Sequence, residues 1–184
     1  MIHVFTGNGK GKSTAAIGMG IRAVGAGKKV LMIQFLKTKS SASENKTIEK
    51  IKNFEIKSFG RKGFFLPLVF LKKHPEFGKK GFEPFSEKDF KLAKQGLDLA
   101  KTAAKSKKYN LLIFDEINIV LKFKLIDIKE ILDFLKKYGK KLDIVLTGRH
   151  CPEQIIKIAD LVTDFKETKH YYQKGVKARK GIEY

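Results

Sequence analysis

Phe5-Thr6-Gly7-Asn8-Gly9-Lys10-Gly11-Lys12-Ser13-Thr14 (FTGNGKGKST) links a strand-like apolar run, Ile2 to Thr6, to a helical pattern that opens at Lys12. Strand, glycine-rich loop, Lys-Ser and helix stand in the order of a phosphate-binding loop. One position departs from G-x-x-x-x-G-K-[ST]: five residues before Gly11, where the first glycine belongs, the chain has Thr6. Three readings are open: an ordinary NTP-hydrolysing loop, a chance glycine cluster, or a loop adapted to another reaction on ATP. Gly7, Gly9 and Gly11 let backbone N–H groups converge on an anion without Cβ interference. The helix that follows adds the positive end of its dipole. Lys12 is placed to neutralise phosphate oxygens and Ser13 to offer its hydroxyl to Mg²⁺.

Outward from this loop, short apolar runs alternate with longer helical patterns. The strands predicted are Ile2 to Thr6, Val30 to Phe35, Phe54 to Phe59, Leu111 to Asp115, Asp143 to Thr147 and Leu161 to Phe165. Most are continuously apolar, as strands buried on both faces of a parallel sheet are. The helices predicted are Lys12 to Gly25, Glu44 to Lys52, Ser86 to Lys107, Asp127 to Tyr138 and Cys151 to Ile158, with Ser86 and Asp89 forming a variant capping box. This alternation specifies an α/β class: a three-layer sandwich around a mostly parallel sheet. Residues 1–184 read as a single domain.

Two strand ends carry chemistry. LLIFDE places Asp115 and Glu116 at the carboxyl end of an apolar strand, where α/β sheets bind ligands, and one of the two is expected to hold Mg²⁺. LTGR ends the next strand and presents Thr147 and Arg149 to the same edge, Arg149 either facing phosphate or standing as a surface arginine. One segment breaks the rhythm. From Gly60 to Phe85 glycines and prolines are interleaved with Phe64, Phe65, Phe70, Phe77, Phe82 and Phe85. It reads as a structureless insertion, either a satellite core or a surface for a flat apolar ligand.

Composition narrows the class. A formal charge of +20 from 39 basic and 19 acidic residues favours anionic partners. The basic residues are lysines spread along the whole chain with few arginines, which fits solvated faces better than a base-reading patch. Nucleic acid is therefore not expected as a partner. The longest apolar run, Phe64 to Leu71, falls short of the ~20 residues that span a bilayer. The lone Cys151 gives neither an internal disulfide nor a zinc spacing. With a strand beginning at Ile2 leaving no room for a signal peptide, the expected location is cytoplasmic.

Taken together, FTGNGKGKSTAA, VLMIQF, FDE-I-N, LTGR, ADLVT and the terminal KH…G-x-K-A-x-K-GIEY resemble the P-loop type of corrinoid adenosyltransferase along nearly the whole chain. Thr6 in place of the first glycine is that family's own form of the loop. The resemblance implies a RecA-like P-loop fold and a homodimer, with Mg·ATP as donor and a reduced corrinoid as acceptor. The implied reaction is alkyl transfer: Co(I) attacks the ribose 5′ carbon and inorganic triphosphate leaves. Carried over, nucleotide binding falls to Thr6, Gly7, Asn8, Gly9, Lys10, Gly11, Lys12, Ser13, Thr14 and Arg149. Ser13 and Glu116 would ligate Mg²⁺, with Asp115 as a further carboxylate. Lys12 and Phe64 would serve catalysis.

The chain also departs from the family. Where the family has a G-F-x-W-like aromatic pair that displaces the corrinoid's lower ligand, this chain has Gly63-Phe64-Phe65-Leu66 and no tryptophan at all. It begins at the first strand, so closure over the corrinoid is expected from some other segment. An acidic flavoprotein would suit the cationic surface as reductant. The competing class is a nucleic-acid-associated RecA-like ATPase, which would release phosphate with steep salt dependence.

Overall fold

Along the inner strands, successive apolar side chains turn alternately into two separate cores. The computed structural model describes residues 1–40 and 42–183. In chain order these form β1 (Ile2–Thr6), α1 (Lys12–Gly25), β2 (Val30–Phe35), α2 (Glu44–Ile48), β3 (Phe54–Phe59) and β4 (Phe64–Leu66). There follow α3 (Leu68–Lys73), α4 (Pro75–Lys79), β5 (Phe82–Pro84), α5 (Glu87–Ser106), β6 (Leu111–Asp115) and α6 (Ile117–Lys122). The chain closes with α7 (Ile128–Tyr138), β7 (Asp143–Thr147), α8 (Glu153–Ile156), β8 (Leu161–Asp164) and a 3₁₀ turn at Tyr171–Lys174.

Six strands pair in the order β3-β2-β6-β7-β1-β8, every neighbour parallel. Leu31, Ile33, Phe35, Leu112, Phe114, Ile144 and Leu146 pack into one face against Leu97, Val120, Ile131, Phe134 and Ile155 of the following helices. Val30, Met32, Leu111, Ile113 and Val145 pack into the other against Ala16 and Ile48. Continuous apolar runs are thus required because both faces are covered. Each of the Val, Leu, Ile, Met and Phe side chains contributes about 1.5–3 kcal/mol on burial. The result is the α/β architecture expected from the alternation, a parallel sheet flanked by helices as in RecA-like P-loop folds. Among the described residues no helix is long and apolar enough to cross a membrane.

Chain order decides where chemistry gathers. β7 lies between β1 and β6, so Thr6, Thr147 and Asp115 end three adjacent parallel strands at one edge of the sheet.

Several elements differ from the sequence expectations. Gly60 to Phe85 is structured: β4 and β5 form a parallel two-stranded sheet, joined by α3 and α4. Its three-residue strands are too short for period to register. α6 follows Glu116 directly, and its run of β-branched and apolar residues gives no helical stripe. α8 begins after Pro152 rather than at Cys151, because a residue before proline is driven out of the helical region. The Ser86 cap is as expected: Ser86 N–H and Oγ both donate to the Asp89 carboxylate, at 2.8 and 3.0 Å.

Candidate active site

The phosphate loop is held from behind by the strand next to it. Phe165 N–H donates to Thr6 O at 2.8 Å and Gly9 N–H donates to Phe165 O at 2.6 Å. A Cβ on Gly7 would stand 2.2 Å from Asp164 Oδ1, and one on Gly9 2.6 Å from Phe165 O. These two glycines are demanded by the close approach of residues 164–166, and the Gly9 N–H is committed there rather than to an anion. Gly7 also adopts φ +94°, and Gly11 adopts φ +112°, which turns the chain into α1. Thr6 Oγ1 accepts from Cys151 N–H at 3.2 Å, so the residue that breaks the common motif ties β1 to the loop after β7. Lys12 is buried, and its Nζ donates to Gly9 O at 2.6 Å. Burial, and then the charge of Arg149, hold its pKa below the usual lysine value.

The acidic pair is built into the same edge. Asp115 is fully buried. Its Oδ1 accepts from Ser13 Oγ and Thr147 Oγ1, each at 2.7 Å, and its Oδ2 accepts from Lys37 Nζ at 2.8 Å. Glu116 sits in the left-handed region at φ +64° and donates its N–H to Thr147 Oγ1 at 3.1 Å. That conformation costs a non-glycine residue about 1–3 kcal/mol and turns the Glu116 side chain into the cleft. Burial, and then the neighbouring Asp115, raise the Glu116 pKa. Asn118 Nδ2 donates to Gly148 O at 2.9 Å and locks the acidic turn to the LTGR turn.

A cleft of about 750 Å³ opens over these groups. Gly9, Lys10, Gly11, Lys12, Ser13 and Thr14 line it together with Glu116 and Arg149. Thr6, Gly7 and Asn8 do not line it, and Asp115 lies behind Ser13. Two carboxylates and one hydroxyl are hard oxygen donors, the set that suits Mg²⁺ carried in with substrate phosphates. Phe64 lies elsewhere, on β4, 67% exposed and stacked beside Phe82 with ring centroids 5.3 Å apart. Phe65 is not equivalent to it. The Arg61 guanidinium covers its ring at 3.4 Å, and Phe85 packs at 6.4 Å.

The sequence profile of the family described as ATP:corrinoid adenosyltransferase BtuR/CobO/CobP matches residues 1–184. The chain belongs to that family. It is 34% identical over 188 residues to a corrinoid adenosyltransferase of Sinorhizobium sp., covering all of this chain and 80% of the relative. The corrinoid adenosyltransferase of Escherichia coli K12 is 30% identical over 185 residues, with 100% and 85% covered. Corrinoid adenosyltransferase CobA of Salmonella typhimurium is 30% identical over 192 residues, again with 100% and 85% covered.

In this adenosyltransferase-family chain, the cleft also holds groups to which the sequence assigned no role in the site. One is Lys37, just beyond β2. Burial pulls its pKa down, but Asp115 and Glu116 outweigh that and raise it. A cation directly after a buried strand, at the edge that binds ligands, was the available signal. The other is the chain end. His170, Gly181, Ile182 and Glu183 also line the cleft. Lys10 Nζ donates to Glu183 Oε1 at 2.8 Å and to Tyr171 Oη at 3.0 Å. Hydrogen bonds from Arg179, Lys10 and Tyr171 hold the Glu183 carboxyl far below the ordinary glutamate range. Pairing across this distance in sequence leaves no local pattern.

Proposed function

We propose that this chain transfers the 5′-deoxyadenosyl group of ATP to the Co(I) centre of a corrinoid and releases triphosphate. The observation that carries the reading is family membership over residues 1–184 together with a cleft that gathers Lys12, Ser13, Glu116 and Arg149. In the step proposed, the cobalt electron pair forms the cobalt–carbon bond. The C5′–O5′ bond breaks and its pair leaves on the triphosphate oxygen.

Each group in the cleft suits the leaving side of that step. Lys12 supplies a fixed positive charge beneath the phosphates, already desolvated and oriented by Gly9 O. Arg149, which lines the same cleft, adds a second charge. Ser13 and Glu116 would hold Mg²⁺, with Asp115 orienting Ser13 from behind. When bound, the ion offsets charge on the triphosphate as it departs.

The accepting side needs water kept from a reactive cobalt centre. Phe64, Leu68, Val69 and Phe70 are exposed on the β4–α3 segment and offer an apolar surface for the corrinoid. This segment leaves the sheet beside the cleft: a Cβ on Gly60 would stand 2.4 Å from the backbone N of Lys37, itself a cleft residue. Residues 1–184 are taken as one adenosyltransferase domain working in the cytoplasm as a homodimer, with an acidic flavoprotein docking on the cationic surface to reduce the corrinoid cobalt.

The test is optical. Protein, Mg·ATP and chemically reduced cobalamin are expected to give the spectrum of a cobalt–carbon bond, dependent on all three. No spectral change with cobalamin or cobinamide defeats the proposal.

A further inference from the structure

Asp115 is buried beside a second carboxylate, and the cation that neutralises it is a side chain able to leave. Lys37 Nζ lies 2.8 Å from Asp115 Oδ2. Its side chain is 25% exposed, while that of Asp115 is 0%. The ammonium therefore reaches inward from the cleft wall, on which Lys37 lies with Lys12, Ser13 and Glu116. The backbone beneath it is fixed. Leu36 is left-handed at φ +58°, its N–H donates to Phe59 O at 3.0 Å, and Gly60 packs against the Lys37 amide. What can move is the four-carbon stem.

We infer that Lys37 is an exchangeable counter-ion: it neutralises the Asp115–Glu116 pair until Mg²⁺ arrives with ATP, then turns onto the triphosphate as a second phosphate-binding lysine. This rests on the function proposed above. Two adjacent buried carboxylates need a compensating cation, and Lys37 supplies it. A divalent ion drawn to the same oxygens makes the ammonium redundant and repels it. Meanwhile the triphosphate brings several negative charges into the same cleft. Lysine suits an exchange of partners because its ammonium is a compact point charge without a preferred plane. Lys12 does not suit it, since its Nζ is buried and held on Gly9 O at 2.6 Å.

Calorimetric titration of the full chain with Mg²⁺ alone, and with Mg·tripolyphosphate, tests this without any corrinoid. Lys37→Met keeps the stem and removes the charge. It should weaken Mg·tripolyphosphate by about 10- to 100-fold, the effect of a lost charge-assisted hydrogen bond. It should bind Mg²⁺ alone about tenfold more tightly, because the competing cation has gone. Lys37→Arg should hold Mg·tripolyphosphate within about threefold of the unmodified chain. If Lys37 only props up Asp115, Lys37→Met weakens both ligands, and that result overturns the inference, as does no change in either. A Lys37→Met chain that loses its fold while Lys37→Arg loses Mg·tripolyphosphate beyond tenfold also overturns it. The two proposals fail separately. Binding as expected without adenosyl transfer defeats the reaction alone, and transfer with unaltered Lys37→Met binding defeats Lys37 alone.

Discussion

At the carboxyl edge of β1, β6 and β7, charged groups are buried and paired. Asp115 accepts three side-chain hydrogen bonds, and Lys12 is held on a backbone carbonyl. On the β4–β5 unit apolar side chains are left open instead: Phe64 and Val69 are each 67% exposed, and the unit is anchored at its root. There Arg61 stacks on Phe65 and donates two hydrogen bonds to buried Asp89, at 2.8 and 2.9 Å. The difference follows from the ligands each region would meet. A polyphosphate needs preorganised charge in a desolvated site, where unpaired groups are costly. A flat apolar ligand needs open hydrophobic area on a firm base.

Damage to one region should therefore leave the other working. The largest effect is expected at the phosphate side: Lys12→Ala should lower turnover by about 10²–10³-fold and abolish measurable ATP binding. Corrinoid binding, measured separately, should be unchanged. Next comes the anchor. Asp89→Asn should cost about 2 kcal/mol in urea unfolding at neutral pH, the scale of a charged hydrogen bond. Burial alone would raise the Asp89 pKa, but Arg61 and Ser86 outweigh it and hold it low. The advantage of Asp89 over asparagine should then be full above about pH 5, shrink as pH falls through ~4, and vanish below the depressed value. Unfolding curves stepped from pH 7 to pH 3 check the sign.

Glu116→Gln should raise the Mg²⁺ concentration for half-maximal activity about tenfold, with the corrinoid KM unchanged. No shift would move the metal role to Asp115. The smallest effect separates the regions most cleanly. Phe64→Ala should slow adenosylation that starts from the Co(II) corrinoid by about tenfold while moving stability by under ~0.5 kcal/mol, as expected of an exposed side chain. Equal loss of ATP binding would make Phe64 part of the fold.

The two regions also differ in how far their sequence foretells them. Runs such as LLIFD and VLMIQF announce strands covered on both faces, and that burial is what the two cores confirm. Lys12-Ser13 are legible from the glycine-rich loop that leads from β1 into α1, and Asp115-Glu116 from their place at the carboxyl end of β6; parallel topology brings both segments to one edge. The reason for Gly7 and Gly9 is not legible, because it lies in contact with Asp164 and Phe165, far along the chain. The β4–β5 unit is hidden by its brevity and its glycines and prolines. Lys37 is hidden among many lysines, and the pairing of Glu183 with Lys10 is hidden although the terminal GIEY is quoted as a motif, since only folding tells a paired charge from one in solvent.

The most direct measurement counts products. With Co(I) cobalamin and Mg·ATP, one intact triphosphate should appear for each cobalt–carbon bond, and little inorganic phosphate. Inorganic phosphate released without any cobalt–carbon bond, and stimulated by nucleic acid, would contradict an adenosyl transfer at this cleft.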